Sequence, residues 1–365
     1  MDKPLTDHEA SSDAASPFFS VVMLHWNTGR FLAESLDALE RQTCKDFELI
    51  LLDNGSTEAL NTDILAQHPR LRLSVLHSES NLGFAGGNNL AARSARGEYL
   101  VLLNADAFPE SEWMAELYRG AQKRPGACFA SRQVMAEDPT RLDGEWNVYS
   151  AAGLAWRKSH GQPLAKACPT EREVISACAA ASAYPLAAYQ EAGGFDEDFF
   201  AYLEDVDLDL RLRLLGHPCY YLPQAVVRHV GSGSTAIRAN KPSHHREPAK
   251  RSPRWNLINA SGRGEFSLRL SHRNLIWTFV KNMPGAFFWL LLPAHLLVNL
   301  GYLLAGALTG RGKIIARAKW EALKELPAVW QKRRQIQRGR RISAAHFARL
   351  LDWNPVAPLV KLRFR

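Results

Sequence analysis

The sequence predicts an α/β fold in which a parallel sheet is wound by right-handed crossovers. Three observations favour this class. Short apolar runs alternate along the chain with segments in which leucine recurs at helical spacing. The runs are almost continuously apolar, as are strands buried on both faces of a parallel sheet. Three of the runs are followed closely by an asparagine or an aspartate, and such strand ends lie along one edge of the sheet.

Four predicted strands lie in the first third of the chain, over residues 18–24, 47–52, 71–76 and 99–103. Asn27 follows the first strand, Asp53 the second and Asp106 the fourth. Because the carboxyl ends of parallel strands meet at one edge, we expect these three side chains to share a crevice. Oxygen ligands there suit Mg²⁺ or Mn²⁺ holding a diphosphate. The alternative is that Asp106 only caps a helix beginning near Pro109.

Two common nucleotide-binding motifs are missing from the sequence. The turn after the first strand reads HWNTGR, which lacks the G-x-G-x-x-G dinucleotide fingerprint. The glycines within residues 83–87 follow the third strand at a different spacing, in a predicted loop before a short helix over 90–94. No G-x-x-x-x-G-K-[ST] phosphate loop occurs either. A dinucleotide enzyme and an ATP-type P-loop protein are therefore both disfavoured.

The composition suits one large domain with a smaller appendage and an anionic partner. The chain has 365 residues, of which 46% are hydrophobic and 22% charged, and its formal net charge is +8. Its five cysteines are scattered without a CxxC pair, which indicates reduced thiols in a cytosolic compartment. Residues 1–17 are polar and lack an apolar core, so we predict a disordered tail there rather than a signal peptide.

A predicted helix over residues 203–216 begins with two carboxylates. Further along, two acid–base pairs at a spacing of four residues are expected to stabilise it, namely Asp207–Arg211 and Asp209–Arg213. Glu204 and Asp205 have no basic partner along the helix. Either they favour the helix dipole, worth roughly 0.3–1 kcal/mol each, or one of them is a general base.

Residues 287–308 are the most apolar stretch of the chain and reach the length, roughly 20 residues, that can span a bilayer. Pro293, His295 and Asn299 interrupt it, and basic residues flank both ends, which marks both ends as cytoplasmic. We therefore predict a helix broken at Pro293 that dips into the membrane and returns. Basic residues within 332–341 suit a helix lying on anionic headgroups. The alternative is a hairpin packed on the sheet domain or an oligomer interface, whereas a nucleic-acid partner is disfavoured.

Four segments, in chain order, resemble the nucleotide-binding half of family 2 glycosyltransferases: SVVMLHWNTGRFLAESLDAL, FELILLDNGST, NLGFAGGNN and GEYLVLLNAD. The resemblance implies the GT-A fold, a Rossmann-like domain that binds a nucleotide sugar. It also implies that Asp53 contacts the base and that the D-x-D motif binds the diphosphate through a divalent metal, Mg²⁺ or Mn²⁺. That motif reads Asn104-Ala105-Asp106 here, so Asp106 is left as its metal ligand.

The resemblance continues through GGFDEDFF and LEDVDLDLRLR. It implies that an acid deprotonates the acceptor hydroxyl, with Asp205 as the first candidate and Glu204 as the second, and that His229 approaches the metal or the diphosphate. Contacts with the donor are expected from the turn after the first strand, from the 81–89 segment and from the metal motif. The residues concerned are Trp26, Asn27, Asn81, Gly83, Asn88, Asn89 and Asn104.

The predicted function is that of an inverting, metal-dependent glycosyltransferase, with a catalytic domain over 18–265 and a helical membrane-associated region over 266–365. The N-x-D form is similar to that of bacterial rhamnosyltransferase-like members, which favours dTDP-rhamnose as the donor. The expected acceptor is a glycan or polyprenyl-linked glycan of cell-envelope polysaccharide synthesis, at the cytoplasmic face of the bacterial inner membrane. Residues 232–254 are a candidate loop over the donor. The alternatives are a UDP-hexose donor, or a catalytically silent sugar- or lipid-binding scaffold.

Overall fold

The computed structural model describes residues 16–231 and 264–355. Most of the predicted tail over 1–17, and the whole of the predicted donor loop over 232–254, lie outside the described residues. The described chain contains a mixed β-sheet with helices on both of its faces, followed by a group of helices at the carboxyl-terminal side.

The first half of the chain builds the parallel part of the sheet. Its strands are β1 (Phe19–His25), β2 (Phe47–Asp53), β3 (Leu73–His77) and β4 (Tyr99–Leu103). They lie in the order β3-β2-β1-β4, and every neighbouring pair is parallel. The helices between them are α1 (Gly29–Glu40), α2 (Thr62–Ala66) and α3 (Gly83–Ala92). The predicted alternation of strands and helices is confirmed.

The sheet continues beyond β4 with strands of mixed direction. These are β5 (Ala107–Pro109), β6 (Cys128–Met135), β7 (Leu142–Gly144), β10 (Arg172–Val174), β11 (Ala181–Pro185) and β12 (Cys219–His229). Strand β11 runs antiparallel between β4 and β6, and β12 runs parallel to β6. A separate hairpin joins β8 (Asn147–Tyr149) to β9 (Ala155–Arg157). The helices here are α4 (Trp113–Lys123), α5 (Leu186–Glu191) and α6 (Glu204–Leu215).

Alternating side chains of the central strands bury both faces of the sheet. Val21 and Val101 belong to the core on one face, whereas Val22 and Leu102, one position further along, belong to the core on the other. This period of two is what a strand requires. Both neighbours are apolar because helices cover both faces, which is why these strands read as continuous apolar runs.

The carboxyl-terminal part is helical and packs against α6. Its helices are α7 (Glu265–Asn282), α8 (Gly285–Leu308), α9 (Gly312–Lys324), α10 (Leu326–Gly339) and α11 (Ala344–Leu350). Apolar side chains of α6, α7, α8 and α10 share one cluster, in which Leu210, Phe279, Phe288 and Val329 are buried. The helices therefore form a continuous core with the back of the helix that carries Glu204 and Asp205.

The glycine-rich segment after β3 is a helix, so the prediction of a loop there was wrong. Helix α3 begins at Gly83, whose φ of +74° is favoured by glycine. A Cβ atom at this position would lie 2.5 Å from the carbonyl oxygen of Phe200, so only glycine fits. The glycines permit close packing beneath α3 instead of breaking the helix.

Helix α8 runs without a break through Pro293, so the prediction of a broken helix that returns was also wrong. A proline removes one backbone hydrogen bond from a helix, and Pro293 lies on the exposed side of α8. On the buried side, the Asn299 side chain donates to the carbonyl oxygen of His295 at 2.7 Å. The ring of His295 bonds to the carbonyl oxygen of Ala152 at 2.9 Å. These polar residues interrupt the apolar stretch because His295 joins α8 to the β8–β9 hairpin and Asn299 joins it to Lys319 of α9.

Candidate active site

The carboxyl ends of β1, β2 and β4 bring the predicted donor-binding side chains to one edge of the sheet. His25, at the end of β1, lies opposite Asp53, at the end of β2. Asn27 follows at φ +53°, and its side-chain oxygen accepts hydrogen bonds from the backbone and hydroxyl of Thr57 at 2.9 and 3.1 Å. Trp26 beside it is half-buried. The two loops are therefore bonded to each other before any ligand binds.

Asp53 is partly accessible at this edge. Its Oδ1 accepts the backbone N–H of Ser56 at 3.0 Å, and its Oδ2 lies 3.7 Å from Nδ1 of His77. Its side chain is 14% exposed, so a ligand can reach the carboxylate. Burial lowers the pKa of the neighbouring His25, although Asp53 acts to raise it. A neutral imidazole and an accessible carboxylate are compatible with hydrogen bonding to a nucleobase.

The predicted contacts from α3 divide into two groups. The side-chain oxygen of Asn81 accepts from Nδ2 of Asn54 at 3.2 Å and from the N–H of Gly83 at 2.8 Å, which fixes the start of the helix. Asn88 is buried, and it donates to the carbonyl oxygen of Phe84 at 2.8 Å. Asn81 and Gly83 therefore lie where β2 and α3 meet, at the sheet edge, whereas Asn88 lies inside α3.

Asn89 ties α3 to the segment before α6, and its predicted contact with the donor stays a prediction. Its amide nitrogen donates to the carbonyl oxygen of Phe195 and to Oε1 of Glu197, both at 2.9 Å. Its amide oxygen accepts from the hydroxyl of Tyr189 at 2.7 Å and from the N–H of Phe195 at 2.8 Å. Both hydrogens and the oxygen are thus used to tie α3 to the segment before α6.

Asp106 and His229 lie together beyond β4. Asp106 does not cap a helix as the alternative required, because α4 begins only at Trp113. The chain instead continues into β5, which pairs with β12 and sets Ala107 opposite His229. This pairing leaves Oδ1 of Asp106 3.4 Å from Nε2 of His229, and Nδ2 of Asn104 is 3.5 Å from the same nitrogen. Both predicted metal ligands are therefore in one place, and both are buried.

A second carboxylate holds His229 from its other side. Oδ2 of Asp143 lies 2.7 Å from Nδ1 of His229. Burial acts to lower the pKa of His229, but hydrogen bonds with Asp106 and Asp143 raise it to about 9. Burial likewise acts to raise the pKa of Asp143, but Arg157 and the two histidines that contact it keep that pKa far below its usual value. A carboxylate behind a metal-binding imidazole is the usual means of fixing its orientation.

These residues fit a divalent ion with two protein ligands. Asp106 Oδ1 and His229 Nε2 are close enough to bind one ion as neighbouring ligands, and a carboxylate with an imidazole suits Mn²⁺ better than Mg²⁺. No group of three or more His, Cys, Asp or Glu side chains suited to a metal occurs among the described residues. The other positions on such an ion would belong to the ligand and to water.

Arg157 joins this pair to the start of α6. Its guanidinium bonds to Oδ2 of Asp143. Burial acts to lower the pKa of Arg157, but Cys178, Asp143, Asp205 and Asp106 lie close enough to raise it. The positive charge of Arg157 therefore acts on Asp143 and Asp106 at the proposed metal site and on Asp205 at the start of α6.

Asp205 is held in a set orientation. Its Oδ2 accepts from Nδ2 of Asn147 at 3.0 Å, and its Oδ1 accepts the N–H of Val206 at 2.8 Å. Burial raises the pKa of Asp205, although these hydrogen bonds oppose the rise. A carboxylate with a raised pKa that is still partly exposed is suited to accept a proton near neutral pH.

Glu204 differs from its neighbour. It is buried, and its Oε2 has no hydrogen-bond partner among the described residues. Burial and the adjacent Asp205 raise its pKa well above its usual value. This environment favours the neutral form of the Glu204 carboxyl, so Asp205, which is partly exposed, is the better candidate for the base.

The later acids of α6 are structural. The predicted pair of Asp207 and Arg211 is confirmed, with Arg211 Nε 2.9 Å from Asp207 Oδ2. The predicted pair of Asp209 and Arg213 is wrong. Asp209 accepts from the hydroxyl and backbone groups of residues 176 and 177, and Arg213 bonds to Glu173. Asp209 faces the loop between β10 and β11, and tertiary contacts replace the pairing along the helix.

Sequence reasoning missed three residues of this site: Asp143, Asn147 and Arg157. They lie on short strands, between residues 142 and 157, where no hydrophobic period is long enough to place a side chain. Their contacts join positions far apart in the sequence, such as Asp143 with His229 and Asn147 with Asp205. No local pattern in the sequence signals such pairs.

The sheet order of the described chain is that of a GT-A-like α/β fold. A mannosyltransferase from Pyrobaculum calidifontis, solved in complex with GDP-Man and Mn²⁺, aligns with 95% of this chain and 90% of its own, with a TM-score of 0.51 and 17% sequence identity. At that identity the likeness supports the fold alone.

Residues 20–183 match the model of Glycosyl transferase family 2. Glycosyltransferase GlyG of Streptococcus pneumoniae is 32% identical over 112 residues, which are 30% of this chain and 36% of the relative. N-acetylglucosaminyl-diphospho-decaprenol L-rhamnosyltransferase of Mycobacterium tuberculosis is 28% identical over 244 residues, 59% of this chain and 76% of the relative. The chain thus spans about a third of the first relative's length and three quarters of the second's.

Proposed function

We propose that this protein is an inverting glycosyltransferase that uses a divalent metal and a nucleotide-sugar donor. The observation that carries the proposal is a series of contacts: Asp106 lies 3.4 Å from His229, and Asp143 bonds to both His229 and Arg157. The charge of Arg157 in turn acts on Asp205, the proposed base. Cation-binding and proton-accepting groups therefore belong to one site, at the sheet edge where ligands of such folds bind. The proposed catalytic domain covers residues 18–265, and the helical region covers 266–365.

In the proposed complex, Asp53 holds the base of the donor and the loops at Asn27 and Asn81 surround the nucleotide. Asp106 and His229 would hold the ion, and the amide nitrogen of Asn104 lies 3.5 Å from Nε2 of His229. A bound divalent ion would balance the charge that develops on the diphosphate leaving group. Asp143 keeps the ring of His229 oriented toward Asp106.

Asp205 is the proposed base. It takes the proton from the acceptor hydroxyl as the oxygen attacks the anomeric carbon, and the bond from that carbon to the diphosphate breaks. A single displacement inverts the anomeric configuration, with a transition state that resembles an oxocarbenium ion, as in inverting glycosidases. Asn147 positions the Asp205 carboxylate, and Glu204 stays protonated beside it.

The proposed substrates follow from the relatives and from the metal motif. The rhamnosyltransferase of Mycobacterium tuberculosis acts, by its name, on a diphospho-decaprenol carrier. We propose rhamnose from dTDP-rhamnose as the sugar and a glycan or polyprenyl-linked glycan as the acceptor, in cell-envelope polysaccharide synthesis. A UDP-hexose donor is the alternative within the same reaction.

The proposed location is the cytoplasmic face of the bacterial inner membrane. Helix α8, with a mean hydropathy of 1.7, is the one helix in the described part of the chain with the length and composition to cross a bilayer. One side of α8 is buried against the rest of the protein, at Phe288, Leu291 and His295. The other side is exposed, at Trp289, Leu290 and Leu297. This division supports a helix lying in one leaflet with its outer face in lipid.

The test separates chemistry from binding. Asp205→Asn keeps the shape of the side chain but removes its basicity, so transfer should fall by at least a thousandfold. Donor binding should change by less than threefold. Transfer is measured with a panel that includes dTDP-rhamnose and UDP-glucose, and binding by thermal shift in Mn²⁺, where ligand at a hundred times its Kd adds roughly 2.7 kcal/mol. Asp37→Asn, on the exposed side of α1, is the control.

Normal turnover by Asp205→Asn would refute the assignment of the base. Donor binding without turnover in the unmodified protein, over a range of acceptors, would instead favour the catalytically silent sugar-binding scaffold. A thermal shift with UDP-glucose but none with dTDP-rhamnose would favour a UDP-hexose as the donor.

A further inference from the structure

A large apolar cavity lies between helices α7, α8, α9 and α10. Its volume is about 960 Å³, near the upper end of the range of roughly 300–1,000 Å³ for small-molecule sites. Most of the lining is aliphatic or aromatic. It includes Ile276 from α7, Leu292 and Leu303 from α8, Leu323 from α9 and Trp330 from α10. A ligand that fits this lining is largely hydrocarbon.

The polar side chains at the back of the cavity already have protein partners. Lys319 donates to the carbonyl oxygen of His272 at 3.0 Å and to the side-chain oxygen of Asn299. Asn299 donates to the carbonyl oxygen of His295, whose own ring bonds to the carbonyl oxygen of Ala152. These bonds satisfy Lys319 and Asn299 without a ligand, whereas Nε2 of His295 has no hydrogen-bond partner among the described residues.

The cavity opens onto the exposed apolar face of α8. Leu296 and Leu300 line the cavity, and they are 58% and 51% exposed. The same helix exposes Leu297 and Leu304. If this face lies in lipid, a hydrocarbon chain enters the cavity from the bilayer without crossing water.

The lining also includes a cationic group. Arg334 lines the cavity and is exposed to solvent. Gln331, one turn before it on α10, lines the cavity as well. A guanidinium beside an apolar cavity is complementary to a phosphate attached to a hydrocarbon chain.

The wall of the cavity is connected to the candidate active site. His295 contacts the β8–β9 hairpin at Ala152, and this hairpin carries Asn147, which binds Asp205, and Arg157. Leu203, the residue before α6, packs with Leu275 and other side chains of α7 and α8. A chain bound in the cavity is therefore held by the same helices that support the proposed base.

We propose that this cavity binds the hydrocarbon chain of the lipid-linked acceptor, with the acceptor's phosphate at Arg334. This inference rests on the proposed function, because it takes the acceptor of that reaction to be lipid-linked. It assigns to α7–α10 the task of selecting the carrier lipid, while the sheet edge selects the donor.

The test measures binding of geranylgeranyl phosphate to the full chain by calorimetry, in buffer without vesicles. Leu303→Trp fills the cavity and should weaken binding at least tenfold. Leu308→Trp is the matched control, because Leu308 lies on the same helix outside the cavity, and binding should change by less than twofold. Arg334→Glu, an exposed change that leaves the packing intact, should weaken geranylgeranyl phosphate at least tenfold and geranylgeraniol by less than threefold.

Equal binding by the Leu303 and Leu308 variants would overturn the assignment to the cavity, and so would an unchanged affinity of Arg334→Glu. Leu303→Trp could also weaken binding to phosphatidylglycerol vesicles as much as it weakens binding of geranylgeranyl phosphate. That result would show that bulk lipid occupies the cavity, and it would overturn the proposal. The proposed function is tested separately. Transfer to a water-soluble glycan without binding of the lipid probe would support the proposed reaction and reject the assignment of the cavity. Binding of the lipid probe without any transfer would support a lipid site in the cavity and reject the proposed reaction.

Discussion

At the scale of single residues, the hydrogen bond between Asp143 and His229 decides how the proposed metal ligand is presented. Nδ1 of His229 is 2.7 Å from a buried carboxylate, and this contact turns Nε2 toward Asp106. Without a partner at Nδ1, the imidazole could rotate or change its tautomer, and Nε2 would no longer be fixed as the ligand atom.

We therefore expect Asp143→Asn to weaken Mn²⁺ binding by about 10–100-fold, the usual effect of losing such a partner. The measurement is a Mn²⁺ titration in the presence of the nucleotide, followed by the paramagnetic signal of the free ion. Asp138→Asn, with an exposed carboxylate on the loop before β7, is the control. An unchanged affinity in Asp143→Asn would mean that Asp143 does not orient a metal ligand.

The hydrogen bond from Asn147 makes a separate prediction about pH. Asn147 stabilises the charged form of Asp205, which opposes the effect of burial on its pKa. Removing the donor in Asn147→Ala raises that pKa further. Because the base acts only when deprotonated, activity is lost as the pH falls through this pKa, and the acidic limb of the kcat/KM profile should move to higher pH.

The shift should be of the order of one pH unit, since one unit corresponds to about 1.4 kcal/mol and hydrogen bonds to charged groups contribute roughly 1.5–3 kcal/mol. Asn61→Ala, at the start of α2, serves as the control. A profile that loses height without moving would assign Asn147 a role in folding or substrate binding instead of base positioning.

Among these residues, the sequence could identify those that follow a regular element. Asp53, Asp106 and Asp205 lie at the ends or starts of strands and helices that hydrophobic patterns locate. Asn147 lies on a strand of three residues, and its function comes from a contact 58 positions away. Such a contact depends on how the hairpin packs, which a pattern of neighbouring residues does not encode.

At the scale of elements, helix α6 is anchored to the carboxyl-terminal helices through a buried ionic cluster. Asp207 is fully buried and accepts hydrogen bonds from Lys281 at 2.8 Å, from Arg211 at 2.9 Å and from Asn282 at 2.8 Å. Lys281 also bonds to Asp196, at the start of the segment that leads into α6. The helix that carries the proposed base is therefore held by α7.

Replacing Lys281 with methionine should lower the free energy of unfolding by about 3 kcal/mol. Removing one partner of a buried ion pair costs roughly 3–5 kcal/mol, and Arg211 and Asn282 still bind Asp207, so we expect the lower end. Lys332→Met is the matched control. Lys332 also pairs with Asp196, but its side chain is 35% exposed, so its loss should cost less than about 1 kcal/mol.

Both variants are measured by denaturant unfolding, with transfer activity as a second readout. Lys281→Met should also lose activity at temperatures where it is still folded, because α6 loses a contact that sets its position. Equal stability of the two lysine variants would contradict the anchoring role of Lys281.

The structures of α3 and α8 were predicted wrongly because the local sequence pattern of each conflicts with the packing around it. The glycines of α3 suggested a loop, but they are required where the helix passes close to Phe200 and Leu24. Pro293 suggested a break in α8, but its position on the exposed side leaves the packed side of the helix undisturbed. In both segments tertiary packing overrides the local preference of the residues.

At the scale of the whole molecule, the exposed apolar surface of the described chain is concentrated on the carboxyl-terminal helices. Trp289, Leu297 and Leu308 of α8 are exposed by 64%, 69% and 82%, and Trp320 of α9 by 60%. The chain also carries a formal charge of +8. An apolar face with a positive net charge is suited to an anionic membrane surface.

We therefore expect binding to vesicles that contain phosphatidylglycerol, measured by co-sedimentation, and we expect it to weaken as salt increases. Leu297→Asp places a charge on the apolar face outside the cavity, and it should weaken binding at least tenfold. Tyr118→Asp, at an exposed aromatic of α4, should have little effect. Equal behaviour of the two variants would mean that α8 does not contact the lipid.

The central claim is that one edge of the sheet binds the metal and the donor beside Asp205. The most direct measurement is a crystal structure with Mn²⁺ and a nucleotide sugar, with the ion located by its anomalous scattering. The account predicts an ion in contact with Asp106 and His229, a base near Asp53, and an anomeric carbon on the Asp205 side of the diphosphate. An ion bound away from both ligands, or a donor whose sugar lies in a different cavity from Asp205, would contradict it.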